Sequence, residues 1–274
     1  MIARLYRGEE RIDALDPRDR GLAYGDGVFE TVLVHHGEPV WWDEHLRRLE
    51  RGCAVLGIRG PDRDFLRAEA GAMVAGCARG VLKLIVTRGI GERGYARSPD
   101  ASPTLAMSLS DAPSAPPPQG LTLRWCETRL AIQPRLAGIK HLNRLEQVLA
   151  RGEWSDPSIH EGLLCDTAGR VVSATSANLF VLRGGHWLTP SMADCGIAGT
   201  CRAWLLGNVP GAVETALSRE EVESAGALVL CNAVRGILPV AALGERRWAT
   251  RDATRALCLA LARAEPAFAA VPLS

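Results

Sequence analysis

The sequence predicts an α+β chain built as two units, each mixing strands and helices. Three observations predict it. β-rich runs alternate with stretches of helical period in both halves. The clearest linker is Pro-rich: Asp111-Ala112-Pro113-Ser114-Ala115-Pro116-Pro117-Pro118-Gln119-Gly120. The chain of 274 residues also exceeds one typical domain. The expected division is residues 1–110, a linker at 111–120, and residues 121–274, each flanking unit being of α/β type.

Residues 1–20 are charged, and Asp16-Pro17-Arg18-Asp19 reads as a turn. Gly25 and Gly27 flank Asp26 in a tight backbone turn. Phe29, Thr31 and Leu33 then alternate with Glu30, Val32 and Val34 as a strand. On its own the GDG triplet fits a plain strand entry equally well. Asp43 is placed to cap the next helix, whose apolar stripe is Leu46, Leu49, Cys53 and Leu56. His45 and Arg48 share another face, three residues apart. A second helix is expected over about Asp62 to Cys77, then a buried strand over 80–88 and another over 104–109.

Beyond the linker, a strand is expected over 121–129, then a helix from Leu142 that turns Leu142, Leu145, Val148 and Leu149 inward. Short strands at 161–166, 170–174 and 178–182 form a meander joined by Gly-containing turns. The glycines and hydroxyl of Asp194–Arg202 run into a helix, which makes an anion seat or an ordinary Gly-rich loop with a Thr cap. Ser218 and Glu221 have capping-box spacing, 227–231 is a buried strand, and a last amphipathic helix covers 252–264.

Composition removes several classes of function. The net charge of +1 argues against a nucleic-acid surface. Eight cysteines without a CxxC spacing read as reduced thiols of a cytoplasmic protein, and six histidines without HExxH give no metal site. No apolar run is long enough to span a membrane, and the N-terminus lacks an apolar signal core.

The basic residues are more informative. Of 32 Lys+Arg, only Lys83 and Lys140 are lysines. Arginine stays protonated and forms no imine, whereas a desolvated lysine can lose its proton and attack a carbonyl. The bias alone does not choose between the two lysines. The loop Gly89-Ile90-Gly91-Glu92-Arg93-Gly94-Tyr95 adds a cation and a phenol suited to a small anion such as a carboxylate, without a Rossmann or P-loop spacing.

Taken in order, GDGVFET (25–31), HLRRL (45–49), LKLIVTRGIGERGY (82–95), AGIKHLNRLEQV (137–148), VSATSANLF (172–180) and GTCR (199–202) resemble the fold-type IV pyridoxal-phosphate enzymes. That is the fold of the D-amino-acid and branched-chain aminotransferases. RGxGxRGY and GIKHLNRLEQV are most similar to its aminodeoxychorismate lyase branch. The resemblance covers nearly the whole chain and implies two α/β domains with a cofactor cleft between them, bound pyridoxal 5'-phosphate and a homodimer acting on a small molecule.

Residue by residue, it makes Lys140 the Schiff-base lysine and Arg48 a ligand of the cofactor phosphate. Thr200 and Cys201 would cradle that phosphate through their backbone, with Asn232 and Ala233 adding contacts. Thr31 would be a relay or positioning hydroxyl, and Arg93 and Tyr95 would be candidates for the substrate carboxylates. Ser173 departs from the aminotransferase pattern, which has a Glu there to pair with the pyridine nitrogen. A hydroxyl supplies no charge, so the ring would be a weaker electron sink. The expected reaction is lysis of 4-amino-4-deoxychorismate to 4-aminobenzoate and pyruvate, with an aminotransferase of the same fold as the alternative.

Overall fold

The computed structural model describes residues 2–98, 101–249 and 252–269. The chain forms two compact units, Met1–Ala112 with Ile139–Asn143, and Pro113–Gly138 with Arg144–Ser274. Lys140 was expected in the C-terminal unit. Its short segment belongs to the first, because the segment pairs with a strand there through its backbone.

The first unit runs β1 (Ile2–Arg7), β2 (Glu10–Ile12), α1 (Arg20–Tyr24), β3 (Gly27–His35), β4 (Glu38–Pro39), α2 (Trp42–Leu56), α3 (Arg63–Val74), β5 (Arg79–Thr87) and β6 (Thr104–Asp111). Its six-stranded antiparallel sheet has the order β2-β1-β6-β5-β3-β4. Leu82, Leu84 and Val86 of β5, with Val28 and Val32 of β3, bury against Leu46, Leu49 and Cys53 of α2 and Leu66, Ala70 and Met73 of α3. Each large side chain so buried contributes about 1.5–3 kcal/mol.

The second unit runs β7 (Leu121–Leu130), α4 (Leu145–Arg151), β8 (Glu161–Asp166), β9 (Val171–Ala174), β10 (Asn178–Arg183), β11 (His186–Pro190), α5 (Thr200–Asn208), β12 (Val213–Thr215), α6 (Arg219–Glu223), β13 (Ala227–Asn232), β14 (Gly236–Leu243), β15 (Arg246–Arg247), α7 (Asp252–Ala264) and a final 3-10 turn. Its nine-stranded sheet has the order β12-β11-β10-β13-β14-β7-β8-β9, with β15 on β14. The pairs β11–β12, β14–β7 and β7–β8 are parallel.

Several local expectations change. The charged N-terminal stretch holds β1 and β2, whose inward positions include buried Tyr6. Asp43 lies in the first turn of α2; the capping position is Trp41, in the left-handed region, whose side chain does not cap the helix. Asp62 caps α3, accepting from Asp64 and Phe65 N–H, and Ser218 and Glu221 form the expected capping box of α6. The α4 face expected to point inward is exposed: Leu145 is 75%, Val148 63% and Leu149 65% accessible. Leu142 precedes α4 and belongs to the first unit.

Candidate active site

In the first unit, the segment carrying Lys140 lies antiparallel along the start of β3. Phe29 N–H donates to the Lys140 carbonyl at 2.9 Å, and Leu142 N–H donates to the Gly27 carbonyl at 2.9 Å. The turn before β3 is closed around it. Gly25 has φ +64°, a conformation that favours glycine, and Asn143 Nδ2 donates to its carbonyl at 3.1 Å. This pairing sets the Lys140 Nζ 4.3 Å from the centroid of the Phe29 ring. The other lysine amine, Lys83 Nζ, is 5.4 Å from the same ring. Thr31 follows Phe29 at the spacing of one strand face and pairs across the ladder with Lys83.

The alternate residue of β3 is Glu30, which is fully buried. Its carboxylate accepts a forked pair of bonds from Arg48, Nε to Oε1 at 2.7 Å and Nη2 to Oε2 at 2.6 Å. His45 Nδ1 lies 2.6 Å from Oε2. Burial pushes the Glu30 carboxyl up, but Arg48, aided by His45, more than offsets this and holds it at about 2. Burial pushes the His45 imidazole down, which Glu30 counters only in part, and the charges of Arg48 and Lys140 push it further down. A neutral His45 facing an ionised carboxylate must carry its proton on Nδ1. Its buried Nε2 has no hydrogen-bond partner among the described residues. Glu30 thus orients the arginine that the resemblance assigns to phosphate. One sequence cue points to it, an acid on the Val28, Val32 and Val34 face of a strand.

The second unit collects another group of the expected residues. Thr200 is the first residue of α5 and Gly199 its capping position, with no side-chain cap. The first N–H groups of a helix lack intrahelical partners and carry its positive dipole end. The buried Thr200 Oγ1 likewise has no hydrogen-bond partner among the described residues. A Cβ on Gly199 would lie 2.2 Å from Asn178 Oδ1, so the approach to the helix admits only glycine without rearrangement. Asn178 Nδ2 in turn donates to the Ile197 carbonyl at 2.9 Å and fixes the loop. An orphaned hydroxyl beside a bare helix start in a close-packed loop fits a phosphate group.

Cys201 is buried, and its thiol is pushed up by a hydrogen bond to the Cys231 thiol and by burial. It therefore contributes backbone rather than a reactive sulfur. Asn232 uses its side-chain oxygen to accept from Val234 N–H at 3.0 Å and Arg235 N–H at 2.8 Å, which curls the backbone after Ala233. Ser173 is nearly buried on β9 and donates its hydroxyl proton to the Ala174 carbonyl at 2.9 Å. Glu161, not singled out in the sequence, shapes the turn after Ser173 by accepting from Thr175 N–H at 3.1 Å and Oγ1 at 2.5 Å.

Arg93 and Tyr95 lie in an exposed loop of the first unit, with Tyr95 85% accessible. Among the described residues there is no group of three or more His, Cys, Asp or Glu placed to hold a metal ion, and no helix long and apolar enough to cross a membrane.

Comparison with known proteins identifies the family and the fold. The family model for class IV amino-transferases matches residues 27–243. An aminodeoxychorismate lyase of Vibrio harveyi is 33% identical over 233 residues, which is 82% of this chain and 86% of that protein. The crystal structure of 4-amino-4-deoxychorismate lyase from Pseudomonas aeruginosa superposes with a TM-score of 0.89 at 43% identity, covering 96% of this chain and 98% of that one. The branched-chain amino acid aminotransferase of Escherichia coli shares the fold, with a TM-score of 0.80 at 18% identity over 93% of this chain and 91% of that one. The chain belongs to the class IV aminotransferase family.

Proposed function

We propose that this protein is a pyridoxal-phosphate-dependent lyase that converts 4-amino-4-deoxychorismate to 4-aminobenzoate and pyruvate. The observation that carries the reading is the 43% identity and near-complete overlap with the Pseudomonas aeruginosa lyase. The lysine context in this chain supports it, because Lys140 is one of only two lysines and its backbone is pinned to β3.

When bound, the cofactor supplies an aldehyde for amine capture and a ring that accepts electrons. The protein supplies the rest. Arg48, held by Glu30, and the start of α5 with Thr200 and Cys201 would take the phosphate, and the loop at Asn232 and Ala233 would add contacts. The Lys140 amine takes the proton from the substrate carbon that bears nitrogen. The C–O bond to the enolpyruvyl group then breaks, pyruvate leaves as its enol, and the remaining ring becomes aromatic. Aromatisation supplies driving force that a transamination lacks, so a weak electron sink suffices. Ser173 accords with this: its hydroxyl, held by the Ala174 carbonyl, supplies no negative charge where aminotransferases carry a carboxylate. Thr31 would position a proton or the substrate, while Arg93 and Tyr95 would receive substrate carboxylates.

The exposed Leu145, Val148 and Leu149 face supports a homodimer in which a second copy covers it. The scattered free thiols accord with a cytoplasmic protein. The test of function is pyruvate release from aminodeoxychorismate by the purified, cofactor-loaded protein. Stoichiometric pyruvate and 4-aminobenzoate are expected. Amino-group transfer from alanine without lysis would instead assign an aminotransferase.

A further inference from the structure

The GDG turn and the Gly-rich loop are far apart in sequence, yet one buried arginine joins them. Arg20, 4% accessible, stands at the start of α1. Its Nε donates to Asp26 Oδ2 at 3.0 Å, and Arg88 Nε donates to the same oxygen at 2.7 Å. The far end of Arg20 turns to the loop, where Nη1 donates to the Gly94 carbonyl at 2.9 Å. The other side of Gly94 is also held, its N–H donating to the Tyr24 hydroxyl at 3.1 Å. The Arg20 guanidinium lies 4.8 Å from the Tyr24 ring centroid, and the Tyr24 ring is 5.6 Å from that of Tyr95.

The start of the loop rests on the same side chain. A Cβ at Gly91 would come within 2.6 Å of Arg20 Cδ, so the backbone lies directly on the arginine stem. Gly91 N–H donates to the Arg18 carbonyl at 3.2 Å, and Arg20 N–H donates to the Gly89 carbonyl at 2.8 Å. Gly94 has φ +93° with open space beside it, so glycine is required there by backbone conformation rather than by crowding. Arg93 therefore lies between two backbone points fixed on Arg20, and Tyr95 follows the second. A fully engaged buried cation is thus spent on the shape of a loop whose side chains reach solvent.

We propose that Arg20 and Tyr24 are positioning residues that hold the Gly91–Tyr95 loop in the shape in which Arg93 and Tyr95 receive a substrate carboxylate. The proposal rests on the lyase reading for the identity of the substrate. The holding itself is independent of that reading. Lysine cannot replace Arg20, because a point charge can meet Asp26 or the Gly94 carbonyl but lacks the fork to meet both.

The test uses the cofactor-loaded full chain with Tyr24→Phe, Arg20→Lys and Arg93→Gln. Tryptic cleavage after Arg93, mapped by mass spectrometry, reads the loop without any catalysis. Steady-state kinetics with aminodeoxychorismate reads its use. Faster cleavage after Arg93 is expected in Tyr24→Phe and more so in Arg20→Lys. The KM should rise roughly 2- to 10-fold in Tyr24→Phe, as for loss of one neutral hydrogen bond, and more in Arg20→Lys, with kcat changed far less. Unchanged cleavage in Tyr24→Phe, which keeps the ring and so the fold, would overturn the holding role. Faster cleavage with unchanged KM in both variants, while Arg93→Gln raises KM, would overturn the proposal and leave the carboxylate role of Arg93 standing. An unchanged KM in Arg93→Gln would overturn that role itself, and the positioning role with it.

Discussion

Replacing Glu30 by Gln tests the electrostatic core beneath Lys140. The carboxylate is fully buried, accepts the Arg48 fork and contacts His45. Its pKa is lowered from 4.5 to about 2, with burial acting against the shift and Arg48 overcoming it. A depressed folded-state pKa contributes stability that is present above the unfolded-state value and is lost as pH falls from about 4.5 through about 2. The shift corresponds to about 3 kcal/mol in full, of which about 1 kcal/mol is lost between pH 7 and about pH 3.5. The amide variant leaves Arg48 buried with a neutral partner, a change that costs about 3–5 kcal/mol at pH 7. Urea unfolding of the cofactor-free protein at both pH values gives the gap between wild type and variant. The gap should narrow by about 1 kcal/mol on acidification, since the variant has no carboxyl to protonate. A gap that is the same at both pH values would refute an ionised Glu30 held by Arg48.

Three further outcomes follow from the second unit. Gly199→Ala should weaken pyridoxal-phosphate binding at least about tenfold in a fluorescence titration, because its Cβ must displace Asn178, whereas Gly207→Ala, with open space on the same helix, should leave it unchanged. For the proposed homodimer, Leu149→Asp should shift the sedimentation coefficient from dimer to monomer by placing a charge on the exposed α4 face; an unchanged coefficient would remove that face from the proposed interface. Ser173→Glu should increase half-transamination with D- or L-alanine by supplying the charge that the serine lacks, and no change in either activity would remove the weak-sink argument.

Much of the fold was legible because local chemistry and burial agree. The apolar run of β5, the Leu46, Leu49 and Cys53 stripe of α2 and the Ser218–Glu221 box all read directly. The N-terminal strands did not, since charged residues interrupt them and only their pairing with β6 defines them. In α4 the period identifies an apolar face, but periodicity cannot distinguish a face covered by the same chain from one left for a partner. The unit to which Lys140 belongs was also hidden, because backbone pairing with β3 decides it. Family motifs named the candidate residues, whereas Glu30 behind Arg48 and Arg20 beneath the Arg93 loop required side-chain geometry.

The most direct measurement is borohydride reduction of the cofactor-loaded protein followed by peptide mapping. Two lysine amines lie near the Phe29 ring, Lys140 at 4.3 Å and Lys83 at 5.4 Å, so the map must choose between them. A single pyridoxyl group on Lys140 is the predicted result. A label on Lys83, or no label on either lysine, would contradict the account.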